Sequence, residues 1–211
     1  MQRQQTKRQK RAEETKAAII HAALKLFHDH GFDAVTIEQI TTRAGVARGS
    51  FYTYFKSRSD IIVDQFWTID DFYRSCAEDL QKYTTAQEKL LAFTEAQMRY
   101  VRDVVGNEQL KVLYAAQASD PGSDKMLINP RRYWFQLVTE IMQDGQRSGE
   151  VRNDIAAERL ALWYNRTIRG LFLDWCVTTG EVFDLVREAR EFCEFWILRS
   201  LTPTETDTSV D

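Results

Sequence analysis

The chain has 211 residues, 44% apolar and 28% charged, a balance that suits one or two folded domains and excludes an intrinsically disordered protein. No apolar run approaches the roughly 18–20 residues needed to cross a bilayer. The polar stretch from Met1 to Lys16 lacks the apolar core of a secretory signal, so no membrane partner is expected and the cytoplasm is the expected location.

The net charge of −3 hides an asymmetry. Residues 1–58 hold eleven Lys/Arg against five Asp/Glu, a net of +6, and the remainder carries −9. A basic head on an acidic body suits a polyanion approached from one end.

Taken in chain order, residues 1–16 read as a basic arm. Ile20, Ala23, Leu24 and Phe27 then form a helical stripe stopped by Gly31. A short helix from Ile37 to Ala44 ends at Gly45, and another runs from Arg48 to Phe55. A long stripe through Ile61, Phe66, Ile69, Tyr73, Cys76 and Leu80 predicts one helix of about six turns starting near Ser57, with Ser57 and Asp60 as its capping pair. Further helices fit about 86–105, 107–118, 130–147, 154–178 and 182–201, with a loop over 119–124 and a disordered tail over 202–211. The expected fold is all-α, about nine helices, with a helix-turn-helix head (17–62) and a larger helical-bundle body (63–201).

The three cysteines, Cys76, Cys176 and Cys193, form no CxxC pair, so they are expected to be small buried apolar residues, with no metal and no cofactor bound. An enzyme is not expected. All three histidines (His21, His28, His30) sit on the first helix, no nucleophile motif or phosphate loop is present, and Asp70 and Asp71 point about 100° apart.

Residues 36–55, TIEQITTRAGVARGSFYTYF, carry the functional signal. Thr36 can cap the helix that follows, Gly45 can take the positive φ of a sharp turn, and Val46 anchors that turn. The next helix is too short to stand alone, and Phe51 and Phe55 pin it to the core. Arg48, Gly49, Ser50, Tyr52, Thr53 and Tyr54 are left facing outward, as donors to phosphates and base edges in a major groove. Lys56 and Arg58 follow at the start of a helix, where free N–H groups also favour a phosphate.

The stretch from residue 19 to 62 resembles the DNA-binding domain of the TetR family of transcriptional regulators. The matching features are Ala23, Phe27, Gly31-Phe32, Thr36, Ile40, Ala44-Gly45-Val46, Gly49 and Tyr52-x-Tyr54-Phe55. The resemblance implies that 48–54 is the recognition helix and that Thr36, Tyr52, Tyr54 and Arg58 touch phosphates. Two positions depart from the pattern: Ala47 stands where Ser or Thr is common, and Tyr54 where His is common.

The resemblance also implies a homodimer on inverted-repeat operator DNA, most often a repressor, released by a small effector held in the body. Val182, Leu185, Val186, Ala189, Phe192, Cys193 and Trp196 form one stripe there, and Leu160, Trp163, Thr167, Gly170, Leu171 and Asp174 another. From the residues alone, both stripes fit either a four-helix dimer interface or burial within one chain. Gly170, Asp174, Ala189, Phe192 and Trp196 are the candidate interface positions. The body's aromatic content predicts an apolar or aromatic effector. Phe66, Trp67, Tyr100, Tyr114, Gln117, Trp134 and Trp163 are its candidate contacts, with Arg99 or Asn165 as alternative polar anchors.

Overall fold

A computed structural model describes residues 6–119, 125–178 and 182–203. Among these all regular secondary structure is helical, and no strand occurs. It divides into two compact units, residues 1–65 and 66–211.

In the first unit, α1 (Lys7–His30) packs on α2 (Ile37–Ala44) and α3 (Arg48–Tyr54), and α4 begins at Arg58. The unit's core is small and apolar: Ile19, Leu26, Phe27, Ile40, Phe51, Phe55, Ile61 and Ile62 are all buried. The buried stripe of α1 runs through Ile19 and Leu26, while Ile20 and Leu24 are only half-buried. The helix also starts earlier than its apolar pattern indicates. Thr6 caps it in a reciprocal capping box with Gln9, and Lys, Arg, Gln, Glu and Ala are good helix formers. Lys7, Arg8, Lys10 and Arg11 are therefore the first turns of α1 rather than an arm, and Arg3 lies outside the described residues.

The single six-turn helix expected from Ser57 is two. Helix α4 (Arg58–Trp67) and α5 (Ile69–Asp79) are separated at Thr68, where the amide of Asp71 bonds the Thr68 carbonyl at 3.0 Å. The cause is a side chain from elsewhere in the sequence: Arg132 reaches the Phe66 carbonyl at 3.5 Å and holds the Asp70 carboxylate. A donor inserted into the helical ladder is a recognised origin of kinks. At the start of α4, Asp60 accepts from the amides of Lys56 (2.7 Å) and Ser57 (3.1 Å).

The second unit continues with α6 (Ala86–Tyr100), α7 (Asn107–Ser119), α8 (Tyr133–Ser148), α9 (Ala157–Val177), α10 (Leu185–Phe192) and α11 (Leu198–Leu201). Helix α8 packs between α9, α6 and α5; α9 also meets α7 and α10, and α10 lies on α6. A π-helical turn over Val101–Val105 closes α6 at Gly106, and another over Cys193–Ile197 joins α10 to α11. Counting α4–α5 and α10–α11 as one bent rod each, nine rods make up the described residues, in agreement with the expected count. One contact is unusually tight. A Cβ on Gly145 of α8 would lie 2.7 Å from Ala86 Cβ and would also run into the Val151 side chain, so only glycine fits.

The core of this unit is more polar than that of the first. The hydroxyls of Thr94 and Tyr164 lie 2.5 Å apart, Gln97 donates to Tyr164 at 3.3 Å, and the Trp134 indole donates to Gln97 at 3.0 Å. The proposed tail begins at Thr202; residues 204–211 lie outside the described residues.

Candidate functional site

The head presents α3 as an outward shelf. Phe51 and Phe55, fully buried with ring centroids 5.8 Å apart, fix its inner side. Arg48, Gly49, Tyr52 and Thr53 are exposed, and Ser50 and Tyr54 are half-buried. Gly45 holds the preceding turn in the left-handed region at φ 67°, with Val46 half-buried behind it. Ala47 supplies no side-chain cap to α3. Arg48 makes no hydrogen bond or ion pair among the described residues. At Gly49 an added Cβ would meet nothing within 4 Å, so nothing inside the chain demands glycine there.

Thr36 does cap α2: its hydroxyl accepts from the Gln39 amide at 3.2 Å, and Gln39 accepts from the Thr36 amide at 2.7 Å. Thr36, Arg48 and Arg58 line one shallow depression bordered by Asp33 and Glu38. Lys56 is exposed, with its amide already held by Asp60. Arg58, expected at a phosphate, also has partners within the head. Its guanidinium donates to the carbonyls of Phe32 (2.7 Å), Asp33 (3.3 Å) and Val35, and it lies 4.7 Å over the Phe32 ring. All three carbonyl contacts come from Nη1, and they brace the loop before α2.

The second unit holds a partly open cavity of about 290 Å³. Phe66, Ile69, Tyr73, Val101, Leu113, Met126, Trp134 and Phe172 give it an apolar and aromatic wall, into which Gln97, Arg132, Asn165 and Arg169 introduce polar groups. Of the seven residues expected to hold an effector, Phe66, Tyr114 and Trp134 line this cavity. The other four do not. Trp67 is partly exposed, with the Arg132 guanidinium 5.7 Å from its ring. Tyr100 stacks on Phe72 at 4.1 Å, and the Gln117 amide oxygen is taken by the Leu127 amide at 3.3 Å. Trp163 sits on the outer face of α9, 41% exposed. Arg99, the alternative anchor, pairs with Glu95 on the surface, whereas Asn165 lines the cavity.

Periodicity could not choose among so many aromatics, and it gave no reason to single out Tyr73, Gln97 or Arg169. The available signal was Asn165 and Arg169, two polar groups four apart and so on one face of a helix.

Of the proposed interface positions, Ala189 is fully buried against its own chain and leaves the set, because α10 packs that face on α6. Phe192 is half-buried. Gly170 and Asp174 are exposed on α9 in a stripe with Trp163, Leu173 and Val177, while Trp196 is 62% exposed beside Phe195.

All three cysteines are buried, and burial pushes their thiols up to about 11. Among the described residues no cluster of His, Cys, Asp or Glu could hold a metal ion, and no helix is long and apolar enough to cross a membrane.

Residues 19–64 match the family model described as bacterial regulatory proteins, tetR family. The fatty acid metabolism regulator protein of Bacillus subtilis is 24% identical over 182 residues, covering 85% of this chain and 92% of the relative. A probable acrEF/envCD operon repressor of Escherichia coli is 24% identical over 214 residues, covering 93% and 90%. Among solved structures, a Thermus thermophilus FadR described as a TetR-family transcriptional repressor in complex with lauroyl-CoA shares the fold, with a TM-score of 0.67 at 21% identity over 93% of this chain and all of that one. The head thus matches the tetR-family model, and the relatives aligned with this chain over nearly their whole length are described as regulators and repressors.

Proposed function

We propose that this protein binds inverted-repeat operator DNA as a homodimer, acts in the cytoplasm as a repressor, and is released by a small, largely apolar effector seated in the cavity of the second unit. The observation that carries the reading is α3 itself. Two buried phenylalanines hold its back, and its front offers an uncommitted Arg48, exposed Tyr52 and Thr53, and a Gly49 that no contact within the chain requires. In a major groove, Arg48 reads a base or grips a phosphate, and Gly49 lets the sugar–phosphate backbone come close. Ser50, Tyr52, Thr53, Tyr54, Thr36 and Lys56 add donors to phosphates, with Arg58 positioning the loop that carries Thr36. The basic first turns of α1 add charge to the same partner.

A two-fold dimer places two such helices about one duplex turn, roughly 34 Å, apart. The exposed α9 stripe through Gly170, Leu173, Asp174 and Val177, with Phe192 and Trp196, supplies an apolar surface for pairing. Control runs along the chain. Helix α4 starts in the head and carries Phe66 of the cavity wall near its other end, so an occupant that displaces Phe66 acts on a helix belonging to both units. Such an effector must prefer the DNA-free arrangement, and operator DNA must then weaken its binding by the same factor.

A gel mobility shift with DNA from upstream of the protein's own gene tests the reading. The expected result is one saturable complex on an inverted repeat that loosens as salt rises. Binding that ignores sequence, or no binding at low salt, contradicts it.

A further inference from the structure

The cavity wall holds two guanidiniums in opposite conditions. Arg132 is neutralised. Its Nη2 donates to Asp70 Oδ1 at 2.5 Å and its Nε to the same carboxylate oxygen at 3.1 Å, and its guanidinium lies 5.9 Å from the Tyr73 ring. Arg169 has nothing comparable. Its Nε is buried without any hydrogen-bond partner, and among the described residues no carboxylate pairs with it. The Tyr114 hydroxyl that reaches Arg169 at 3.1 Å donates to the backbone carbonyl, leaving the side chain unserved. Burial pulls the guanidinium below the ordinary arginine value, and the titratable groups acting on it are the Tyr114 phenol and the Arg166 guanidinium. It remains a cation, as arginine does in proteins.

One turn earlier on α9, Asn165 lines the same cavity, and its amide makes no hydrogen bond among the described residues. Residues four apart on a helix share a face. An unpaired buried donor and an uncompensated charge are both unfavourable, and a planar guanidinium beside a free amide matches a carboxylate better than any neutral head group. Elsewhere in the wall Phe66, Leu113, Met126 and Phe172 offer an apolar surface that suits a hydrocarbon tail. At about 290 Å³ the space lies at the lower end of the roughly 300–1,000 Å³ common for small-molecule sites.

We infer that the effector is a small amphipathic carboxylate, its anionic head held by Arg169 and Asn165 and its short apolar tail packed against the aromatic wall. This rests on the ligand-responsive reading above and narrows it to one chemical class. A free acid supplies the charge that Arg169 lacks. A coenzyme A thioester of the same acyl chain masks that carboxylate.

Isothermal titration of the full-length protein with octanoate, 1-octanol and octanoyl-CoA tests the inference. Octanoate is expected to bind one site per chain about ten- to a hundredfold tighter than 1-octanol, the ratio that a charge-assisted hydrogen bond supplies. Arg169→Gln is expected to bring octanoate down to the affinity of 1-octanol for the parent protein, and Arg169→Lys to restore part of the difference. The comparison of octanoate with 1-octanol on the parent needs no variant to fold. Equal affinity for these two, tighter binding of octanoyl-CoA than octanoate, or no octanoate binding overturns the inference. Equal binding of octanoate and 1-octanol leaves the ligand-responsive reading standing, and the parent's operator binding, measured alongside, judges the DNA-binding reading separately.

Discussion

The two units of this chain are specified in different ways. The head is built from local rules: capping boxes at Thr6 and Thr36, a left-handed Gly45, and a core of aliphatic and phenylalanine side chains with few polar groups inside. The body is built from pairings across long stretches of sequence. Arg132 reaches Asp70 from 62 residues away, and Thr94 meets Tyr164 from 70. Locally coded structure can be read residue by residue. A network of distant partners exists only once the chain has folded, and the same distance allows it to leave a cavity with a charge waiting for a counter-ion.

The largest effect that separates the units should come from alkali. The head has no cysteine, and all three thiols belong to the body, raised by burial from near 9 to about 11. A group whose folded value is raised contributes stability that is fully present below the unfolded value and lost as pH rises through the folded one. The body's thermal midpoint should therefore hold up to about pH 9 and fall steeply between 9 and 11. Burial of the Tyr73 and Tyr164 phenols reinforces the fall. Melting curves followed by near-ultraviolet circular dichroism, which reports the body's tryptophans, should show this. A midpoint flat to pH 11 would contradict the burial of these groups.

Next in size is Asp70→Ala. It leaves the Arg132 guanidinium, 9% exposed, without its partner, and breaking a buried ion pair from one side costs about 3–5 kcal/mol. The same substitution frees the guanidinium that reaches the Phe66 carbonyl at the break between α4 and α5. Urea unfolding should show the loss, and a change under 1 kcal/mol would mean that the pair is wetter than its burial indicates. Gly145→Ala follows. Its methyl group must displace Ala86 or Val151, and overpacking of this kind costs about 1–3 kcal/mol. In the head, Thr36→Ala removes one cap and should cost about 1 kcal/mol, read from the same unfolding curves. If this cap outweighed the buried pair of the body, the contrast between local and long-range specification would fail.

The limits of what the sequence discloses follow the same division. The positions of α2, α3 and Gly45 were legible because turn, cap and buried aromatics lie within twenty residues. The start of α1 was not, because Thr6 and Gln9 open a wholly polar stretch in which apolar periodicity is silent. The break at Thr68 was hidden because its agent, Arg132, is remote in sequence. The π turns at Val101–Val105 and Cys193–Ile197 left the apolar pattern continuous to the eye. At the site, Arg58 reads from sequence as a surface cation, and only the folded loop offers it three carbonyls. In the body, Trp163 and Phe172 both fall on α9 nine residues apart, yet one faces outward and the other lines the cavity. Composition cannot distinguish them.

The central claim is that the front of α3 reads DNA, and fluorescence anisotropy with a labelled operator duplex tests it most directly. Arg48→Ala should lose about 1–3 kcal/mol on the operator and relax the preference at one base pair. Tyr54→Phe should weaken all sequences alike, because a phosphate contact carries no base identity. If Arg48→Ala binds operator and unrelated DNA as the parent does, α3 is not the recognition helix and the account is wrong.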